Sequence, residues 1–414
     1  MSHIGIAHLI LVISLLIISS LPCSINLCVM LRRPFLNSTW FYNLDYSNLT
    51  KYSDVIDKSQ LTRILITKRK FNIASAINPS CFLKSIVYTG LFKNAYLGEI
   101  CSVENSHIKL LERNYSITFP INVVGYYDVG IAYVQHFLQW GHLIHDFCSS
   151  LMYLPEHLKN VHVVTLATKS GYKPTVQWLK FLGFNATVLN LKLHEQVFVK
   201  ELYFVTGGDI AHSVTIGGIK RLRNYVRNKL NLNSVIPTKY YLLNRPENKP
   251  RRINNHKLLL DALKKDVPLP NNQVWNYYVP KIYKIEEAAK FYVNIKALVA
   301  PSGSMIYNSI YMKEKTPMLL IFGHMDKPNI QLCLASDFYM IGLSIALPSN
   351  LSANFIVNIP QAVGLAKKIV YCSQNGRWDS TGGMYSGMIP NIDYKFTEII
   401  NIPPKKLRMQ TWQF

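Results

Sequence analysis

From Ile121 to about residue 345 the chain alternates short apolar runs with amphipathic stretches, and this limits its possible folds more than any other feature. The pattern predicts a helix over 134–154, a strand over 161–166, a helix over 173–182 closed by Gly183, and strands over 186–191 and 197–205. A basic helix over 220–230 follows, and Pro237 then breaks the chain. A second series begins with a strand over 239–244. It continues as helix 254–265, strand 273–278, helix 285–293, strand 295–300, helix 305–311 and strand 318–322. Alternation at this spacing indicates parallel sheets covered by helices. The expected fold class is therefore α/β, with two Rossmann-like domains facing a central cleft. The expected boundaries are a leader at 1–31, a stem and lead-in at 32–120, and a first domain at 121–236. A second domain follows at 237–385, with a tail at 386–414 packing back. In sheets of this kind ligands settle at the carboxyl ends of the strands.

Composition narrows the ligands. Charged residues make up 16% of the chain, yet the formal net charge is +22. Such a field favours anions. Nucleic acid is not the expected partner, because no nucleic-acid-binding motif is present and the lysines are spread along the chain. Between Met1 and Leu31 there is no Asp, Glu, Lys or Arg. The apolar centre of that segment suits a cleaved signal peptide, and its full length suits a signal anchor. Both readings put the body of the protein in the lumen of the secretory pathway, in the endoplasmic reticulum or Golgi. The membrane would be a partner only if the anchor stays uncleaved. Sequons at Asn37, Asn48, Asn114, Asn185 and Asn350 agree with that compartment. Of the seven cysteines, Cys81 and Cys101 are the nearest pair in the body, and no pair has the spacing of a structural zinc site.

Three clusters carry candidate chemistry. In the segment GHLIHDF, His142 and Asp146 stand four apart, so one helix face would hold both, with His145 pointing elsewhere. A histidine–carboxylate pair in a cleft can act in acid/base catalysis. The segment LLNRPENKPRRINN places Arg245, Arg251 and Arg252 after a buried strand, where guanidinium forks suit phosphate oxygens. Asn254 and Asn255 are placed to cap the next helix. Finally, a buried strand runs into Pro301, Ser302, Gly303 and Ser304, small residues that would let a ligand approach backbone N–H groups.

In this order the three clusters resemble glycosyltransferase family 61. His142 and Asp146 match that family's His-x-x-x-Asp segment, and His145 stands where some members also carry a histidine. Arg245, Arg251 or Arg252, and Asn254 match its second motif. Pro301, Ser302, Gly303, Ser304 and Asn308 occupy its third, with Ser302 in place of the family's usual histidine.

The resemblance implies a GT-B fold and an inverting transfer of sugar from a nucleotide donor, a UDP-sugar, to a hydroxyl of a glycoprotein or glycan. It implies Asp146 as the base, assisted by His142, and donor binding through Arg245, Arg252, Ser302 and Asn308. No essential metal is expected, since the chain holds no Asp-x-Asp triplet. Arginines and helix N-termini can offset a leaving diphosphate instead. The competing expectation, prompted by Ser302, is a catalytically degenerate relative that binds glycans or a protein.

Overall fold

The computed structural model describes residues 44–55, 60, 63–66, 84–98, 122–132, 140–167, 171–192, 195–207, 216–280, 284–322, 327–345, 354–379 and 394–395. The leader, the Cys81–Cys101 pair and most of the tail lie outside them. Among the described residues no helix is long and apolar enough to cross a membrane. The strands are β1 (Leu44–Val55), β2 (Ile64–Ile66), β3 (Lys84–Gly98), β4 (Asn122–Ala132), β5 (His162–Leu166), β6 (Asn185–Leu189) and β7 (Glu195–Gly207). They continue as β8 (Lys239–Leu243), β9 (Trp275–Tyr278), β10 (Ile295–Pro301), β11 (Pro317–Phe322), β12 (Tyr339–Ser344) and β13 (Tyr394–Lys395).

The chain divides into two compact units. The first takes Met1–Asp54 and Ser85–Gly218, and the second takes Val55–Lys84 and Ile219–Phe414. The division falls between Gly218 and Ile219, whereas the sequence pattern placed a break near residue 236.

The first unit is built on a six-stranded sheet in the order β1-β3-β7-β4-β5-β6. Strands β7, β4, β5 and β6 run parallel, and β3 runs antiparallel to β7. Strands β1 and β3 come from residues that the sequence presents as stem and lead-in. They are 12 and 15 residues long. The first helix, α1, follows β4. It consists of an α turn at Trp140–His142, a π turn at Leu143–Cys148 and a further α turn at Ser149–Leu151. Helix α2 (Tyr172–Leu182) packs beside it through Trp178, whose ring lies 6.3 Å from that of Trp140. Gly183 ends α2 in the left-handed conformation (φ 90°) that glycine adopts without a Cβ clash. The core gathers Val164, Leu166, Val199, Leu202 and Phe204. The sequon residue Asn185 is exposed at the start of β6.

The second unit carries a seven-stranded sheet in the order β13-β2-β12-β11-β10-β8-β9. All its strands are parallel except β13, which runs antiparallel to β2. Strands β11 and β12 are buried along their whole length, and β10 everywhere but Lys296. That pattern explains their largely apolar sequences, because a parallel strand covered on both faces has no polar side to show. Leu242, Val299, Leu319 and Ile341 are fully buried in the core. Each such side chain contributes about 1.5–3 kcal/mol relative to exposure.

Helix α3 (Ile216–Lys229) covers the expected basic helix, and two of its arginines point inward. Arg223 donates to the carbonyls of Ile310 and Met312, and Arg227 to those of Tyr311 and Met312. Burial and the neighbouring Arg227 pull the Arg223 guanidinium down to about 9. Helices α4 (His256–Asp266), α5 (Ile285–Tyr292), α6 (Lys327–Ala335) and α7 (Ile359–Asn375) complete this unit.

Candidate active site

Each unit presents its own set of chemical groups. In the first, the π turn of α1 brings three side chains together. His142 Nδ1 lies 2.8 Å from Asp146 Oδ2, and His145 Nδ1 lies 2.5 Å from Asp146 Oδ1. The two imidazole rings are 4.5 Å apart. The expectation that His145 points away is therefore corrected: both histidines converge on one carboxylate. The widened turn, with its i→i+5 hydrogen bonding, redistributes side chains around the helix, and such π turns recur at functional sites. Sequence spacing alone assumes an α-helix and misses this.

Burial separates the roles of the three groups. The Asp146 side chain is wholly buried and that of His145 nearly so, whereas the His142 side chain is 16% exposed. A buried carboxylate that accepts from Nδ1 fixes the imidazole tautomer and leaves Nε2 as the basic atom. The three groups also offer ligand atoms within 4.8 Å of one another, a set that a transition metal can use. Behind them, Ser149 Oγ donates to the His145 carbonyl and Ser150 Oγ to that of Asp146. These two serines hold the backbone of the cluster. Their signal in the sequence was a pair of hydroxyls on an otherwise buried helix face.

In the second unit the chain runs from β8 to β9 on one side and returns past β8 to β10 on the other. The strand order thus reverses between β8 and β10, and ligands of parallel sheets bind at such a switch point. The loop after β8 carries the arginines, and the turn after β10 carries Ser302 and Gly303.

A Cβ placed on Gly303 would lie 3.2 Å from Arg251 Nη2 and 3.3 Å from Arg245 Nη1. Two guanidinium groups therefore converge on one glycine. Gly303 has φ 131°, a conformation that side-chain-bearing residues rarely adopt. Arg251 itself holds φ 62°. Backbone strain of that kind costs on the order of 1 kcal/mol and persists where surrounding structure enforces it.

Asn244 supplies the enforcement. Fully buried, it accepts from the backbone N–H groups of Arg245 and Ile253 and donates to the Ile253 carbonyl. One side chain thus ties both ends of the arginine loop. The sequence showed Asn244 only as the end of a strand, and a polar residue closing a buried apolar run was the available signal.

The other expected donor-site residues fall in different places. Arg252 pairs with Glu247 at 2.9 Å and is not one of the two that meet at Gly303. Asn254 is exposed, and its N–H donates to the Phe355 carbonyl. Asn255 stands at the N-cap of α4 but makes no side-chain cap, because that side chain pairs with the backbone of Val357.

The turn after β10 does not offer the two backbone donors that small residues there had suggested. Ser302 N–H donates to the Ile321 carbonyl, and Gly303 N–H to Asn329 Oδ1. Instead the turn gives clearance to the arginines. Ser302 Oγ is fully buried, with no hydrogen-bond partner among the described residues. Ser304 begins a 3₁₀ segment, Ser304–Tyr311, where an α-helix was expected. Within it Asn308 is buried, donates to the Met305 carbonyl and faces the Tyr292 hydroxyl.

A carboxylate-oriented histidine suits proton transfer, and two guanidiniums at a switch point suit an anionic group. The chain is a glycosyltransferase. Residues 140–319, which include every site residue expected from the sequence, match the family model described as Glycosyltransferase 61. No curated protein sequence matches the chain.

Proposed function

We propose that the protein is an inverting transferase that moves a sugar from a nucleotide diphosphate donor, a UDP-sugar, to a hydroxyl of a glycoprotein or glycan in the secretory pathway. The observation that carries this reading is the convergence of Arg245 and Arg251 on Gly303 at the switch point of the second sheet. Two guanidinium groups held together are stabilised by an anion between them, and a diphosphate offers oxygens to both forks. As the glycosidic bond breaks, charge builds on that diphosphate, and fixed cations stabilise it there. A metal ion is not required for that step.

The acceptor hydroxyl needs a base. Exposure favours His142 over Asp146, the reverse of the assignment that the resemblance implies. The buried Asp146 holds Nδ1, and Nε2 takes the proton. The displaced diphosphate leaves with the bonding electron pair, and the acceptor oxygen joins the anomeric carbon from the opposite face.

Thermal stabilisation of the purified protein by UDP, GDP and their sugars tests the donor half, since only ligands that prefer the folded state raise the midpoint. A shift with one nucleotide that disappears in Arg251→Ala is expected. A folded protein that responds to no nucleotide favours the degenerate, glycan-binding relative.

A further inference from the structure

We propose that His256 and Tyr277 form the nucleobase platform of the donor site in the second unit. The inference rests on the donor reading above and extends it from the diphosphate to the base. The two rings lie 4.8 Å apart with planes 21° from parallel, a stacked pair. Both side chains are partly exposed. Tyr277 packs against the core of the unit, so His256 covers it from the outer side.

Placement ties this pair to the arginines. The Tyr277 hydroxyl lies 3.4 Å from Asn244 Nδ2, and Asn244 Oδ1 receives the N–H of Arg245. Along the carboxyl edge of the sheet the order is β9, β8, β10: Tyr277, then the arginine loop, then Ser302 and Gly303. Neighbouring strands lie about 4.8 Å apart, so the ring pair stands roughly one to two strand spacings from the phosphate-binding groups. A ribose fills that interval.

His256 also has a defined hydrogen-bonding face. Its Nδ1 lies 3.1 Å from the Ile253 carbonyl, an acceptor only, so Nδ1 carries the hydrogen. The neutral ring then presents Nε2 as an acceptor, suited to a ribose hydroxyl or a base N–H. Flat heteroaromatic rings stack on such a platform whatever their identity, so the pair supplies affinity for a nucleoside over a bare diphosphate.

The test is calorimetric binding of UDP, GDP and inorganic pyrophosphate to the full chain and to His256→Ala, His256→Phe and Tyr277→Leu, each checked for folding by circular dichroism. In the unsubstituted protein the better nucleotide should bind more tightly than pyrophosphate. His256→Ala and Tyr277→Leu should weaken that nucleotide about tenfold and leave pyrophosphate unchanged, and His256→Phe should keep most of the affinity.

Nucleotide binding unchanged in folded His256→Ala and Tyr277→Leu overturns the platform and leaves the donor reading standing. Equal losses for nucleotide and pyrophosphate also overturn it, since they would mean a general collapse of the arginine loop. If neither nucleotide nor pyrophosphate binds the unsubstituted protein, the donor reading fails and the platform with it.

Discussion

His142 Nδ1 sits 2.8 Å from Asp146 Oδ2, and of these two residues only His142 reaches solvent. On the function proposed above, the carboxylate orients the imidazole and the imidazole meets the acceptor. His142→Ala should lower transfer by about 10²- to 10⁴-fold, the usual contribution of a positioned base, with nucleotide binding unchanged. Single-turnover rates beside a nucleotide titration check this. A variant that keeps its full rate would return the role of base to Asp146.

Gly303 is the point on which Arg245 and Arg251 close. Gly303→Ala forces an unfavourable φ on a residue with a Cβ and presses that Cβ against Arg251 Nη2. Nucleotide affinity should fall about tenfold, with a stability loss of about 1–3 kcal/mol. Calorimetry with UDP and a urea titration read the two effects separately. Unchanged affinity would show that the arginines do not need this clearance.

Asn244 ties the ends of the arginine loop through three hydrogen bonds to backbone groups. Asn244→Leu leaves the buried N–H of Ile253 without that acceptor, a loss of about 1–3 kcal/mol. Donor KM should rise while kcat at saturation changes less, since Asn244 places the arginines and does not contact the reacting atoms. Equal falls in kcat and in kcat/KM would contradict a positioning role.

Stability should also depend on alkaline pH. Burial pushes the Cys372 thiol up to about 12, well above the ordinary range of a thiol. Above pH 9 the unfolded chain loses this proton while the folded chain keeps it, so stability falls as pH rises from about 9 towards 12. Urea midpoints at pH 8 and pH 10.5 should differ less in Cys372→Ala than in the unsubstituted protein. An identical difference would mean that other groups carry the slope.

Between residues 239 and 322 the strands were legible because β8, β10 and β11 are largely apolar runs bounded by Pro, Gly and Asn. Residues 44–98 were less legible, since strands half-open to solvent carry mixed sequences that resemble a polar lead-in. The three clusters were found by residue type, but their internal geometry was not. His145 turns toward Asp146 only because the helix there is π, and no spacing rule for an α-helix foresees that. Arg251 and not Arg252 meets Arg245, because Arg251 adopts a left-handed backbone. The inward face of α3 was hidden for a related reason: Arg223 and Arg227 find backbone carbonyls as partners, which leave no complementary charge in the sequence.

The hydrogen bond from Gly303 N–H to Asn329 has a consequence for how the protein can change over time. With the neighbouring Ser302 N–H also engaged, an anion at that edge of the sheet meets side chains before main chain. Recognition by backbone would be fixed by the fold itself. On the donor reading proposed above, recognition by Arg245, Arg251 and the buried Ser302 hydroxyl can drift one substitution at a time, and donor preference at this edge is then free to diverge while the sheet beneath it stays as it is.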